Sequence, residues 1–221
     1  MTPCKHHNAD TWLARCIALL CALTLGACSV LKPSTAEPPA FYALNATLKP
    51  ATTATTPPPS APYNATHTLP TLIITPPHAA AGFDSPRIMY VRNAHQLEYL
   101  AHSEWVDTPA RMLGPLLASS LEATGSFGAV VVTPAGASGD LRLETEIIRL
   151  QHNFQRSPSR VQFTLRAFLL DDKTRRVLAW REFSAEAPST SDTPASGVAA
   201  ANQAVQTVLA ELAQFVAAQP Q

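Results

Sequence analysis

The sequence predicts an α/β domain, a largely antiparallel sheet with two main helices packed on it. Three observations predict it. Met112, Leu113, Leu116, Leu117 and Leu121 recur at helical spacing, and Val198, Val205, Val208, Leu209, Leu212, Phe215 and Val216 do so again near the end. Between them, three segments alternate apolar with polar residues, the pattern of half-buried antiparallel strands.

The chain opens with Lys5 and Arg15 ahead of an apolar run, Cys16 to Leu25, that ends in Gly26 and Ala27. A positive start, a short apolar run and small residues at its end are the marks of an export signal. A bilayer-crossing helix needs roughly 20 apolar residues, which this run does not reach. Leu25-Gly26-Ala27-Cys28 resembles a bacterial lipobox, in which cleavage leaves a lipid-bearing cysteine at the new N-terminus. Cys4, Cys16 and Cys21 then depart with residues 1–27, Cys28 is the lipid attachment site, and the folded part keeps no thiol to form a disulfide. Ser29 rather than aspartate after the cysteine favours the periplasmic face of the outer membrane.

Residues 28–40 read as a lipidated tether and 41–218 as the domain, interrupted by a Pro/Thr-rich flexible insertion at about 50–70. With Lys5, Arg15 and Asp10 in the signal, 14 Lys plus Arg face 15 Asp plus Glu in the remainder. That balance excludes nucleic acid as the partner class.

Phe41 to Leu44 reads as a short strand, and Leu72-Ile73-Ile74 as a buried one stopped by Pro76-Pro77. Arg87–Arg92 and His95–Leu100 form a hairpin around Asn93-Ala94, with Asn93 the residue suited to positive φ. Asp107-Thr108-Pro109 starts the first helix, a capping side chain before a proline, and Gly125 stops it. Phe127–Val132 is an apolar strand and Gly136–Gly139 a turn. From Leu141 the alternation Leu141, Leu143, Thr145, Ile147 changes phase to Ile148, Leu150, His152, Phe154, which predicts a bulge. Val161–Leu169 and Arg176–Ala185 complete an antiparallel meander around Asp171–Thr174. The last helix, of about five turns, presents its apolar stripe to the sheet and an alanine-rich back.

With these elements in place, the exported part resembles the ABC-type transport auxiliary lipoproteins, the family of paraquat-inducible protein C. The resemblance rests on Cys28 in its lipobox, Phe41-Tyr42-Ala43-Leu44, the hairpin from Arg87 to Leu100, Ser103-Glu104-Trp105 running into the helix with Leu113 and Leu116, and the closing meander and helix. It implies a mixed sheet with an anticodon-binding-like arrangement. It also implies an accessory subunit working with a mammalian-cell-entry (MCE) domain protein and ABC transporter subunits that move lipids or other hydrophobic compounds between membranes.

The residues supply no catalytic constellation. His67, His78, His95, His102 and His152 lack metal-ligand spacing, and no Gly-x-Ser-x-Gly occurs. Asp171-Asp172 lies in a turn, and Glu144 and Glu146 on a solvated face. No enzyme activity, metal or cofactor is expected. Trp105 reads as a core anchor ahead of the helix, and Trp180 as a residue that packs under a helix or meets a partner. Arg160, Arg166 and Arg181 suggest a basic sheet face. The leading function is binding and scaffolding, with homo-oligomers open. A lipid carrier, needing an apolar cavity of several hundred Å³, is the alternative, and an exported hydrolase is less favoured.

Overall fold

The computed structural model describes residues 38–45 and 69–219. The lipobox, Cys28, the tether up to residue 37 and nearly all of the insertion lie outside the described residues.

Strand β7 (Leu141–Asn153) organises the sheet because both of its edges are used along their length. On one side it pairs antiparallel with β8 (Arg160–Asp171), which pairs in turn with β9 (Val177–Pro188). These are the three strands of the meander. On its other side β7 is met in succession by β2 (Thr71–Ile74), β3 (His78–Ala79) and β4 (Arg87–Val91), all parallel to it. Outside these, β6 (Ala129–Val132) lies parallel to β2, and β5 (Leu97–Trp105) lies antiparallel to β4. Strand β1 (Ala40–Tyr42) adds to β5 in parallel as one edge of the sheet. The sheet is mixed, and its long ladders are antiparallel. Among the described residues the outer edge of β9 has no strand partner.

The phase change along β7 is a bulge. Ile147 faces Leu165 and Arg149 faces Thr164, so Ile148 is the extra residue. Leu141, Leu143, Thr145 and Ile147 are buried before it and Leu150 and His152 after it, so one face stays apolar along a bent strand. A second irregularity lies between Leu169, which faces Ala179, and Leu170, which faces Val177; it sets Leu178 aside.

Helix α1 (Pro109–Glu122) begins as the sequence indicates. The Thr108 hydroxyl accepts the Arg111 N–H at 3.4 Å and Pro109 takes the first turn, while Gly125 at φ 65° supplies the left-handed exit. Pro115 lies inside it with its ring exposed. Helix α2 (Pro194–Ala217) runs for 24 residues, nearer seven turns than five. Its alanines stand on both sides: Ala195, Ala199 and Ala210 are exposed. Ala200, Ala201, Ala204 and Ala213 are buried with Val205, Val208, Leu209, Leu212 and Val216, and their small side chains bring the helix close onto β8 and β9. Both helices share one core with Leu143, Ile147, Phe163, Leu165 and Phe183 on the same side of the sheet.

The hairpin differs in detail from expectation. His95 rather than Asn93 takes positive φ, 65°, and β5 continues through Ser103-Glu104-Trp105 as strand before the chain turns into α1. The reason is pairing at both borders of that segment: Ser103–Trp105 accept β1, and the Trp105 N–H donates to the Pro86 carbonyl at 2.7 Å. Past β1, Leu44 is buried, its N–H directed at the Met112 sulfur 3.5 Å away, so the start of the domain is fixed to both the sheet and α1.

Candidate partner-binding face

With both helices on one side, the other face of β7, β8 and β9 presents cross-strand rows of polar side chains. Gln151, Gln162 and Glu186 form one, the Gln151 amide donating to Gln162 at 3.0 Å and the Gln162 amide to Glu186 at 2.6 Å. Thr164 and Ser184 form the next, their hydroxyls 3.0 Å apart. Arg166 then lies between two carboxylates, 3.4 Å from Glu146 and 3.1 Å from Glu182. Neighbours directly across antiparallel strands stabilise a sheet in this way when their charges alternate in sign.

One further row is apolar. Trp180 on β9 faces Phe168 on β8, the rings near parallel at 26° with centroids 6.2 Å apart. Trp180 is 61% exposed. Together with Arg166 and Glu182 the two rings line a shallow hollow of about 330 Å³, and exposed Val177 and Leu178 lie at the start of the same strand. Tryptophan beside arginine is the combination enriched where proteins meet partners.

Trp105 is placed quite differently. It is 3% exposed, within the core beneath α2, and borders a cavity of about 20 Å³ with Ile88, Leu150, His152, Val161 and Ala201. That space has room for about one water molecule. An acyl chain does not fit there. The two tryptophans are therefore on opposite sides of the sheet, one an anchor of the core and the other open to a partner. Trp180 does not pack under a helix.

The three arginines do not make one basic face. Arg166 is neutralised by its two glutamates. Arg181 lies on the helix side, its guanidinium 5.0 Å from the Phe183 ring centre and 6.0 Å from that of Phe215. Arg181 is opposite Ala167 and Arg166 opposite Glu182, so the two arginines fall on different faces of the sheet.

The carboxylates of the β8–β9 turn are structural. Asp171 accepts from the Thr174 N–H at 2.7 Å, the Thr174 hydroxyl at 2.9 Å and the Lys173 N–H at 3.1 Å, bonds that hold its carboxyl below the usual range. Asp172 accepts the Gly139 N–H at 3.0 Å and pairs with Arg142 at 2.6 Å; the backbone bond and then the arginine hold it ionised. The pair fastens the turn at Gly139 to the sheet, and neither acid keeps a proton to donate at neutral pH.

A polar chain leads from the core to the surface through His152, Ser159 and Asp192. His152, 5% exposed, has its Nε2 3.0 Å from the Ser159 oxygen, and the Ser159 hydroxyl donates to Asp192 at 2.7 Å. Because the serine proton is directed to Asp192, His152 donates from Nε2 and is the neutral Nε2–H tautomer. Burial lowers its pKa, against the smaller raising effect of Asp192. The order of groups resembles a hydrolytic triad only superficially. The serine stands in the middle, its hydroxyl donating to the Asp192 carboxylate, so the imidazole is not placed to take its proton as it does in a triad. The in-phase position of His152 after the bulge was a usable signal for its burial; Ser159 and Asp192, in separate loops, offered none.

His78, His95 and His102 are exposed, and among the described residues no group of three or more His, Cys, Asp or Glu is placed to hold a metal ion. No helix among them is long and apolar enough to cross a membrane.

Comparison with solved structures finds a Xanthomonas campestris protein of a family of unknown function, 26% identical, with a TM-score of 0.65 over 80% of this chain and 93% of that one. An uncharacterised protein, 14% identical, gives 0.60 over 81% of this chain and 99% of its own. Both share the fold. A search of curated proteins gives no match. The profile of the ABC-type transport auxiliary lipoprotein component family matches residues 47–213, which contain all of α1, all but the last turn of α2 and every strand except β1. The chain belongs to the ABC-type transport auxiliary lipoprotein component family.

Proposed function

We propose that this lipoprotein is a non-enzymatic docking subunit of an MCE-containing ABC transport system for lipids or other hydrophobic compounds, held by acylated Cys28 at the periplasmic face of the outer membrane. The observation that carries the docking role is the uncovered sheet face with Trp180 stacked on Phe168. A tryptophan that contributes nothing to its own core is retained at a cost in exposed apolar surface, and burying it against a partner recovers that cost. The resemblance in sequence supports the MCE protein as that partner, and the lipobox supports the anchor. The small interior cavity disfavours the domain as a carrier of acyl chains.

Crosslinking in intact envelopes followed by purification tests the reading. The MCE-domain protein is expected to be recovered with the wild-type chain and to be lost or strongly reduced with Trp180→Ala, while the variant's thermal midpoint is unchanged. Recovery of the chain alone, with the MCE protein shown to be present in the same envelopes, rejects the partner. Equal recovery by the variant rejects this face.

A further inference from the structure

The loop after β7 and the loop between β9 and α2 lie side by side at one end of the sheet and enclose a groove of about 660 Å³. Its lining differs from the rest of the surface. Two arginines, Arg92 and Arg156, reach it, and among the described residues neither has an acidic partner within ion-pair distance. Arg92 is held in place by rings: its guanidinium lies 5.2 Å from the centre of Tyr90 and 5.4 Å from that of Phe154. Stacking of this kind fixes the plane of the guanidinium while leaving its N–H edge free to bind.

The walls are fixed too. Buried Ser159 is committed to Asp192, and buried Ser189 donates to the Ser191 carbonyl at 2.6 Å and lies 2.8 Å from the Ser196 hydroxyl. The loops are thus tied down without a ligand, and the groove exists before anything binds. Its one lining carboxylate, Asp192, accepts from Ser159, and two guanidiniums against one carboxylate leave a net positive groove on a chain of zero formal charge.

We infer that this groove is a binding site for a phosphate group, carried either by a lipid headgroup or by a free anion. A phosphate offers several acceptor oxygens to the ring-stacked guanidinium of Arg92 and to that of Arg156, and charge-assisted bonds of this kind are the stronger class. The volume exceeds a bare phosphate and leaves room for a glycerol-sized substituent beside the exposed hydroxyls of Ser157 and Thr190. The inference does not depend on the docking face, which is formed by other residues.

The test is calorimetric titration at low ionic strength, where screening is weak. The purified full-length chain in non-ionic detergent is titrated with sodium phosphate, with glycerophosphate and with short-chain phosphatidylglycerol. Saturable binding of at least one is expected, and Arg92→Gln or Arg156→Gln should weaken it about tenfold, the effect of losing a charge-assisted bond. Lys173→Gln removes an equal charge from the β8–β9 turn, outside the groove, and should leave affinity unchanged. Sodium phosphate binding as tightly as the glycerol esters identifies the free anion as sufficient; tighter binding of the esters identifies the headgroup. No binding of any of the three overturns the inference. So does equal weakening by Lys173→Gln, or arginine variants that keep wild-type circular dichroism and wild-type affinity.

Discussion

Replacing Trp105 with alanine removes a large side chain that is 3% exposed and leaves a hole beneath α2, so a loss of about 3–5 kcal/mol in denaturant unfolding is expected. The same change at Trp180, 61% exposed, should alter stability by no more than about 0.5 kcal/mol. Thr145 gives the opposite prediction. Its hydroxyl is buried on the core face of β7 with no hydrogen-bond partner, so Thr145→Val should raise stability by about 1 kcal/mol in the same measurement. His152 sets a pH dependence. Its folded pKa lies below the unfolded value of about 6.5, so between the two the unfolded chain binds more protons and stability rises with pH. The contribution is complete above the unfolded pKa and is lost as pH falls from there through the folded one. Thermal midpoints should therefore drop as pH falls below about 6.5, and His152→Gln should flatten that part of the profile.

Between elements, one tight fit is where α2 crosses β7. A Cβ on Gly197 would stand 2.6 Å from Nδ1 of His152, a buried ring held by its hydrogen bond to Ser159. Alanine at an ordinary helical site gains about 1 kcal/mol over glycine, but overpacking costs about 1–3 kcal/mol. Gly197→Ala should thus destabilise by about 1 kcal/mol in chemical denaturation, while Gly136→Ala, with open space around it, should be near neutral. Elements with a local signature were legible in the sequence: the Thr108-Pro109 start of α1, the Ile148 bulge and the antiparallel meander. Successive alignment of β2, β3 and β4 along one edge of β7 was not, because parallel pairing between strands distant in sequence leaves no turn to recognise. Alanine is compatible with either side of a helix, so composition does not separate buried Ala200, Ala201, Ala204 and Ala213 from exposed Ala195, Ala199 and Ala210. For the site, alternation alone put Trp180 opposite Ala179, but only the packing of both helices on one side decided which face is open.

At the scale of the whole molecule, the proposal separates holding from docking. On the proposed reading, acylation at Cys28 would confine the domain to a layer beside the membrane and so raise its effective concentration for a partner in the same layer. Cys28→Ala should therefore move the chain from the membrane to the soluble fraction on fractionation, with circular dichroism unchanged and partner recovery reduced. The side of β9 with no strand partner among the described residues has a consequence of its own. Its backbone groups are a ready template for any extended peptide that drifts past, the usual seed of runaway association. Arg181, Glu182 and Glu186 stand along that border and Pro188 closes its end, so a stranger adding there must strip water from charges or forgo a rung. In a crowded envelope, those four residues act as sentries against clumping.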